Sequence, residues 1–357
     1  MNPFRYEHAG DVADAIARVG RHRNAQFIAG GTSQVDLMKE GVQRPDALVD
    51  IFRMGLDEII ELEGGGLSIG ANVRNSIAAD HPLVRARYAV IAEALHAGAS
   101  QQIRNMASMA GNLMQRTRCP YLRDPAQPCN KREPGTGCAA VRGFNRMHAI
   151  LGQADEGSTS PRTCIAVHPS DLAVAMAALE AVLVVENAAG SRRIRFDDLL
   201  CLSGEDPSRD SQLAADDVIV SIELPAFDGN SHYLKVRDRA SYAYGLVSCA
   251  LAIDMDGGRI TRARIALGSV AHKPWRLPAA EEMLEGECPV PELFRRAAIV
   301  GLEDARTYAM NGYKPDLARA LVMRGLAETT GIEPLQGSSG TAFAASVGGI
   351  AGMRDIA

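Results

Sequence analysis

Four of the seven cysteines, Cys119, Cys129, Cys138 and Cys164, fall within 46 consecutive residues in the spacing C-x9-C-x8-C-x25-C. Cys201, Cys249 and Cys288 are scattered in apolar or loop surroundings and read as ordinary residues. An odd total, with no signal peptide legible at the start, argues against a disulfide framework, because thiols in a reducing compartment stay free. Between Arg116 and Arg162 aliphatic periodicity fades while Pro120, Pro125, Pro128 and Pro134 accumulate, so regular structure is expected to be sparse. Such a segment needs a constraint other than burial, and metal coordination turns binding free energy into folding free energy. Thiolates serve structural zinc and iron–sulfur clusters alike. The close C-x2–4-C pairs of zinc modules are missing, as are the usual ferredoxin spacings. Single ligands arriving from several directions suit a larger inorganic core; the spacing favours iron–sulfur and leaves zinc open. Arg116, Arg118, Arg123, Lys131, Arg132, Arg142 and Arg146 face only Asp124 and Glu133 in this stretch. That charge favours the reduced form of an anionic cluster, and reads equally as a solvated face or a docking patch.

A second chemistry is written in Phe27-Ile28-Ala29-Gly30-Gly31-Thr32-Ser33-Gln34, an apolar strand running through two glycines into a helix. Free amides at a helix start and close backbone approach suit a pyrophosphate, although a ligand-free strand-to-helix turn has the same signature. The loop matches neither the G-x-G-x-x-G fingerprint nor the P-loop. Ser108-Met109-Ala110-Gly111-Asn112 offers small residues and donors to a flat ring, or a plain helix C-cap. In His168-Pro169-Ser170-Asp171 either Ser170 or Asp171 can cap a helix, the blander role for Asp171, whose carboxylate could instead accept from a ligand hydroxyl. Lys235 follows a domain junction and could reach a cofactor lying between domains. No hydrolase elbow, H-E-x-x-H motif or carboxylate pair is present.

These residues must be held by a chain of 357 residues, long enough for two or three domains. Residues 1–55 read as a compact α/β unit: helix 11–19, strand 25–29, helix 34–40 and strand 47–51. Residues 56–225 form a second α/β unit, with strand 67–69, helices 88–97 and 170–179, and a hairpin over 181–196. Residues 226–330 change to longer alternating strands (233–236, 247–254, 261–267) followed by helices 278–284, 291–309 and 315–329, a sheet-plus-helix unit. Residues 331–357 read as a loose tail. Hydrophobic residues at 46% and a net charge of −5 are ordinary globular values, which excludes disorder and collagen and disfavours a dedicated nucleic-acid binder. No apolar run approaches the ~20 residues that span a bilayer.

Taken together, Ile28-Ala29-Gly30-Gly31-Thr32, Ile103-Arg104-Asn105 to Gly111-Asn112, His168-Pro169-Ser170-Asp171 and Lys235-Val236-Arg237 resemble the FAD-binding subunit of molybdenum hydroxylases, the xanthine dehydrogenase and carbon monoxide dehydrogenase flavoproteins. The resemblance runs from residue 1 to about 330. The segments Arg116 to Tyr121, Gln127 to Arg132 and Gly137 to Ala140 are similar to the aldehyde oxidoreductase branch, whose subunit carries a 4Fe–4S cluster beside the flavin.

The resemblance implies an α+β chain with a vanillyl-alcohol-oxidase-like (PCMH-type) fold: two α/β subdomains clasping FAD and a C-terminal antiparallel sheet-and-helix domain. It implies that Gln26, Phe27, Ile28, Ala29, Gly30, Gly31, Thr32, Ser33 and Gln34 hold the FAD pyrophosphate. Ser108, Gly111, Asn112, Asp171, Ile219 and Lys235 would make further flavin contacts, and Cys119, Cys129, Cys138 and Cys164 would ligate the cluster. Ala110 departs from the glycine common there. The aromatic signature of NAD-using relatives is not evident, which implies a non-NAD acceptor. The implied function is electron transfer within a heterotrimer with a large molybdopterin-binding subunit and a small 2Fe–2S subunit, placed in the periplasm by co-export with a signal-bearing partner or in the cytoplasm. The alternative is a zinc-stabilised binding module without redox function.

Overall fold

The computed structural model describes residues 1–153, 160, 162–204 and 206–333, so the expected tail lies outside the described residues from 334 onward. The chain opens with β1 (Arg5–His8), α1 (Val12–Val19), β2 (Ala25–Ile28), α2 (Gln34–Lys39) and β3 (Ala47–Asp50). The three strands form a parallel sheet in the order β1-β3-β2, with β3 buried along its length. Asp11 caps α1 by accepting from Asp14 N–H, and α1 packs Ala15 and Val19 into this unit's core. Parallel β2 and β3 need a crossover, and α2 supplies it. β1, Arg-Tyr-Glu-His, has no apolar alternation and goes unread in the sequence; its pairing with β3 defines it.

The second unit contains β4 (Ile59–Glu61), β5 (Leu67–Gly70), α3 (Asn75–Asp80), α4 (Pro82–Arg87), α5 (Ala89–Ala97), α6 (Gln101–Arg104), α7 (Met109–Leu113), α8 (Pro120–Arg123), α9 (Asp171–Ala178), β6 (Val182–Asn187), β7 (Gly190–Arg195), α10 (Phe196–Leu199) and β8 (Val218–Leu224). Its antiparallel sheet runs β4-β5-β8-β6-β7, so β8, also unread in the sequence, returns to separate β5 from the β6–β7 hairpin. Helix α9 is apolar on every side and buried from Leu172 to Leu179. A helix without a polar face must be surrounded; α9 lies against α5 and against the third sheet, and so presents Asp171 where the units meet.

That third sheet has the order β12-β11-β10-β9, from β9 (Asn230–Val236), β10 (Val247–Asp256), β11 (Arg259–Gly268) and β12 (Trp275–Arg276). Helices α11 (Pro278–Leu284), α12 (Pro291–Val300) and α13 (Lys314–Thr330) accompany it, and α13 packs on β9 and β10. The helix expected over 291–309 ends at Val300. Gly301 weakens its continuation, and Arg306 N–H is drawn off to the Ile150 carbonyl at 2.8 Å.

His232 joins the second unit to α13, with Nδ1 2.7 Å from a Glu93 carboxylate oxygen and Nε2 2.7 Å from one of Glu328. The hydrogen bond with Glu93 leads in holding its pKa above the usual value, against the opposing effect of burial. A raised folded-state pKa contributes stability below the unfolded value of about 6.5 and loses it as pH climbs through the folded value. Denaturant unfolding of the wild type should therefore weaken from pH 6 to pH 9 more than that of His232→Gln; equal slopes would show that the imidazole does not carry the effect.

Candidate functional site

The β2–α2 loop, the α6–α7 segment, the start of α9 and the chain leaving β9 enclose a cavity of about 480 Å³. Phe27 to Gln34 form one wall, and Ser108, Gly111, Asn112, Asp171 and Lys235 are among the residues that line the rest. Gln26 lies just ahead of the wall, its amide oxygen accepting from Gln34 Nε2. Ile219 does not line the cavity; it is buried in β8 opposite Val185.

The loop stays open to a ligand because its donors are uncommitted. Val35 N–H closes the first turn onto Gly31 O, whereas the N–H groups of Gly31, Thr32 and Ser33 donate to no backbone carbonyl among the described residues. Gly31 has φ +68°, a left-handed conformation suited to glycine. Ser33 leaves α2 without a side-chain cap, its hydroxyl accepting instead from Arg118 Nη2 at 3.1 Å.

The opposite wall corrects two readings. Ser108 to Asn112 is no helix C-cap but the start of α7, with Ser108 Oγ accepting from Gly111 N–H. At α9 the cap is Ser170, which accepts from Ala173 N–H at 3.0 Å and donates to Asn112 Oδ1 at 2.7 Å. Asp171 is thereby released for other partners: Lys235 Nζ at 2.7 Å and Tyr233 OH at 2.5 Å. Lys235 is also held by the Ala97 carbonyl at 3.2 Å. His168 is structural: Nε2 donates to Leu113 O and Nδ1 accepts from Ser170 N–H, while burial pushes its pKa down to about 4.

The four clustered cysteines line a second, smaller cavity with Thr117, Tyr121 and Lys131. Cys129 and Cys138 face each other across an isolated antiparallel bridge. Buried Asn130 ties the Cys129–Cys138 turn to the segment entering Cys164: its Nδ2 donates to the Ser160 and Thr163 carbonyls at 2.8 Å, and its Oδ1 accepts from Gly135 and Gly137 N–H. Backbone N–H groups lie near the sulfurs, Tyr121 by Cys119, Ile165 and Ala140 by Cys138, and Ala166 by Cys164, while those of Leu122 and Val141 donate to the Cys119 and Cys138 carbonyls. Burial nonetheless pushes the Cys119 and Cys164 thiols up to about 12 and raises Cys138, with charge on neighbouring cysteines adding to it. Among the described residues no three His, Cys, Asp or Glu side chains converge closely enough for a single ion.

The basic segment is largely paired rather than a solvated face. Arg123 binds Glu40, Arg146 binds Asp238 with both terminal nitrogens at 2.8 Å, and Arg132 donates to the Tyr121 and Leu122 carbonyls. Asp210 bridges the two cavities: Arg116, on the first, and Lys131, on the second, each reach one of its carboxylate oxygens at 2.6 Å. Burial would raise the Asp210 pKa, but the two cations outweigh it and hold the carboxyl below its usual range. Arg118, next to Cys119, stacks over the Tyr244 ring at 5.3 Å on the rim of the larger cavity. Sequence reading attached Arg116 and Arg118 to the cysteines alone and missed Tyr242 and Tyr244, whose signal is only their place just beyond Lys235.

Two family models divide the chain between them: the FAD binding domain in molybdopterin dehydrogenase over residues 2–227, and the CO dehydrogenase flavoprotein C-terminal domain over residues 232–329. The chain belongs to the FAD-binding family of molybdopterin dehydrogenases. It is 49% identical over 286 residues to the aldehyde oxidoreductase FAD-binding subunit PaoB of Escherichia coli K12, covering 80% of this chain and 86% of that one. Carbon monoxide dehydrogenase from Hydrogenophaga pseudoflava superposes with a TM-score of 0.70 at 25% identity, over 92% of this chain and 98% of its own. Quinoline 2-oxidoreductase from Pseudomonas putida 86 gives the same score at 23% identity and the same coverage, a likeness of fold. The chain is thus a flavoprotein subunit of a molybdenum hydroxylase-type oxidoreductase, and the fold implied by the sequence resemblance is the fold of this family.

Proposed function

We propose that this chain is the FAD- and 4Fe–4S-carrying electron-transfer subunit of a heterotrimeric molybdenum-dependent aldehyde oxidoreductase, with a large molybdopterin-binding and a small 2Fe–2S partner. The observation that carries the reading is the pair of adjoining cavities, one walled by uncommitted amides and one by four cysteines, linked through Asp210. The choice of aldehyde rests on the similarity to the E. coli subunit.

The larger cavity fits FAD. The uncommitted backbone amides of Gly31, Thr32 and Ser33 would neutralise the pyrophosphate, with the rest of the stretch from Gln26 to Gln34 holding them in place, and the α6–α7 backbone approaches Gly30 closely. Ser108, Gly111, Asn112, Asp171 and Lys235 would orient the remainder; Ile219, in the core of β8, would contribute only through the strand it packs. FAD bound here supplies the exchange between single electrons from a 2Fe–2S partner and the needs of an external acceptor other than NAD. The residues themselves bind and orient, with the charges of Lys235 and Arg116 already balanced by Asp171 and Asp210.

For the cysteine pocket a cluster is favoured over zinc on the spacing C-x9-C-x8-C-x25-C, which lacks the close C-x2–4-C pairs of zinc modules. Backbone N–H groups near the sulfurs suit ligand thiolates, whose negative charge they help to offset.

Purified without oxygen alongside its partners and then resolved from them, the chain should carry FAD and four iron atoms and no zinc, and dithionite should bleach its broad visible absorption. It should not oxidise aldehydes alone. A colourless zinc protein, or aldehyde turnover by this chain free of molybdenum, would overturn the reading.

A further inference from the structure

His148 is not among the cluster ligands the sequence suggests, yet its ring stands against one of them, with Nε2 3.2 Å from Cys119 Sγ. The residue is 3% exposed, and its Nδ1 is buried with no partner among the described residues. The ring is placed from outside the cysteine loop. The His148 carbonyl accepts from Lys314 Nζ at 2.9 Å and from Asn311 Nδ2 at 3.3 Å, and the Ala149 N–H donates to Ile165 O at 2.9 Å, beside Cys164. Lys314 is fully buried at the start of α13, with Nζ also donating to Ser269 O at 2.7 Å. The C-terminal unit therefore clamps the backbone at residue 148 and aims the imidazole at the sulfur.

The direction of the hydrogen bond follows from elementary chemistry. A sulfur that ligates iron is a thiolate and has no proton to give, so the contact is a bond only if Nε2 carries the hydrogen. That holds for either protonation state of the ring. A donor to a ligand sulfur draws electron density from it and favours the more negative, reduced form of the cluster, and burial strengthens the effect. The backbone donors around the other sulfurs come with the fold, whereas this one is written in a side chain.

We infer that His148 is a positioning residue for electron transfer: its Nε2–H donates to the Cys119 sulfur and raises the reduction potential of the cluster. The inference rests on the cluster reading above. It is tested on the anaerobically purified complex by redox titration of the cluster's electron paramagnetic resonance signal in wild type, His148→Phe and His148→Gln. Phe removes the donor, and should disfavour the reduced form about tenfold, a fall of about 59 mV for one electron. Gln keeps an N–H within reach and should recover most of the shift. If Phe prevents the cluster from assembling, the comparison is made between Gln and the shorter His148→Asn, which should titrate lower. Coincident titrations of the donor and non-donor variants overturn the inference while leaving the cluster reading intact. A wild type without iron overturns the cluster reading itself.

Discussion

Gly30→Ala should abolish flavin retention. A Cβ at this position would lie 2.7 Å from the Met106 carbonyl carbon and 3.2 Å from Ala107 Cα, and closer still to the Met106 oxygen. Those atoms are backbone and cannot rotate away. Nor can the segment slide, because Met106 and Ala107 both donate to Ile103 O, and Ala107 O accepts from Asn75 N–H at 2.9 Å. The added methyl must push the β2–α2 loop off the α6–α7 segment, parting two walls of the cavity whose amides are to hold the pyrophosphate. Overpacking of this kind costs about 1–3 kcal/mol even where side chains can adjust. The expected result is a flavin-to-protein ratio reduced at least tenfold, with a lowered unfolding midpoint. Gly312→Ala, where a Cβ meets nothing within 4 Å, is the control and should keep its flavin. Equimolar flavin in Gly30→Ala would show that the close approach is dispensable.

Cys164→Ser should empty the cysteine pocket of iron and leave the flavin in place. Cys164 is buried, follows the stretch tied down by Asn130, and lines the same small cavity as the other three cysteines. A serine hydroxyl ligates iron poorly beside thiolates, and a core bound by three ligands on a segment with little hydrophobic support loses the coupling of binding to folding. Iron should fall at least tenfold, and protease should then cut between residues 116 and 153. Cys164 does not line the larger cavity, so bound flavin should persist. Cys288→Ser, at an exposed cysteine, should change neither metal nor flavin. Full iron in Cys164→Ser would remove this residue from the ligand set.

Local pattern made much of the framework legible. The strand-glycine-helix run from Ala25 to Lys39, the apolar helix after Ser170 and the alternating strands at 247–254 and 261–267 stand where spacing put them. These features depend on residues a few positions apart. Edge strand β1 and inserted strand β8 went unread: β1 takes its form from its neighbour, and β8 returns from far along the chain to pair with β5.

The sites divide in the same way. By itself the sequence determined that four cysteines share one poorly apolar segment and that glycines interrupt a strand at its junction with a helix. Tertiary structure alone decided what surrounds them: Asp171 meets Lys235, Arg116 meets Asp210, Gly30 meets Met106, and His148 meets Cys119 under the hold of Lys314. The reason is physical. Helix and strand periodicity act over a few residues, whereas an ion pair, a backbone contact or a buried donor finds its partner only after the sheets and helices have packed, and no local pattern records which of many compatible partners that will be.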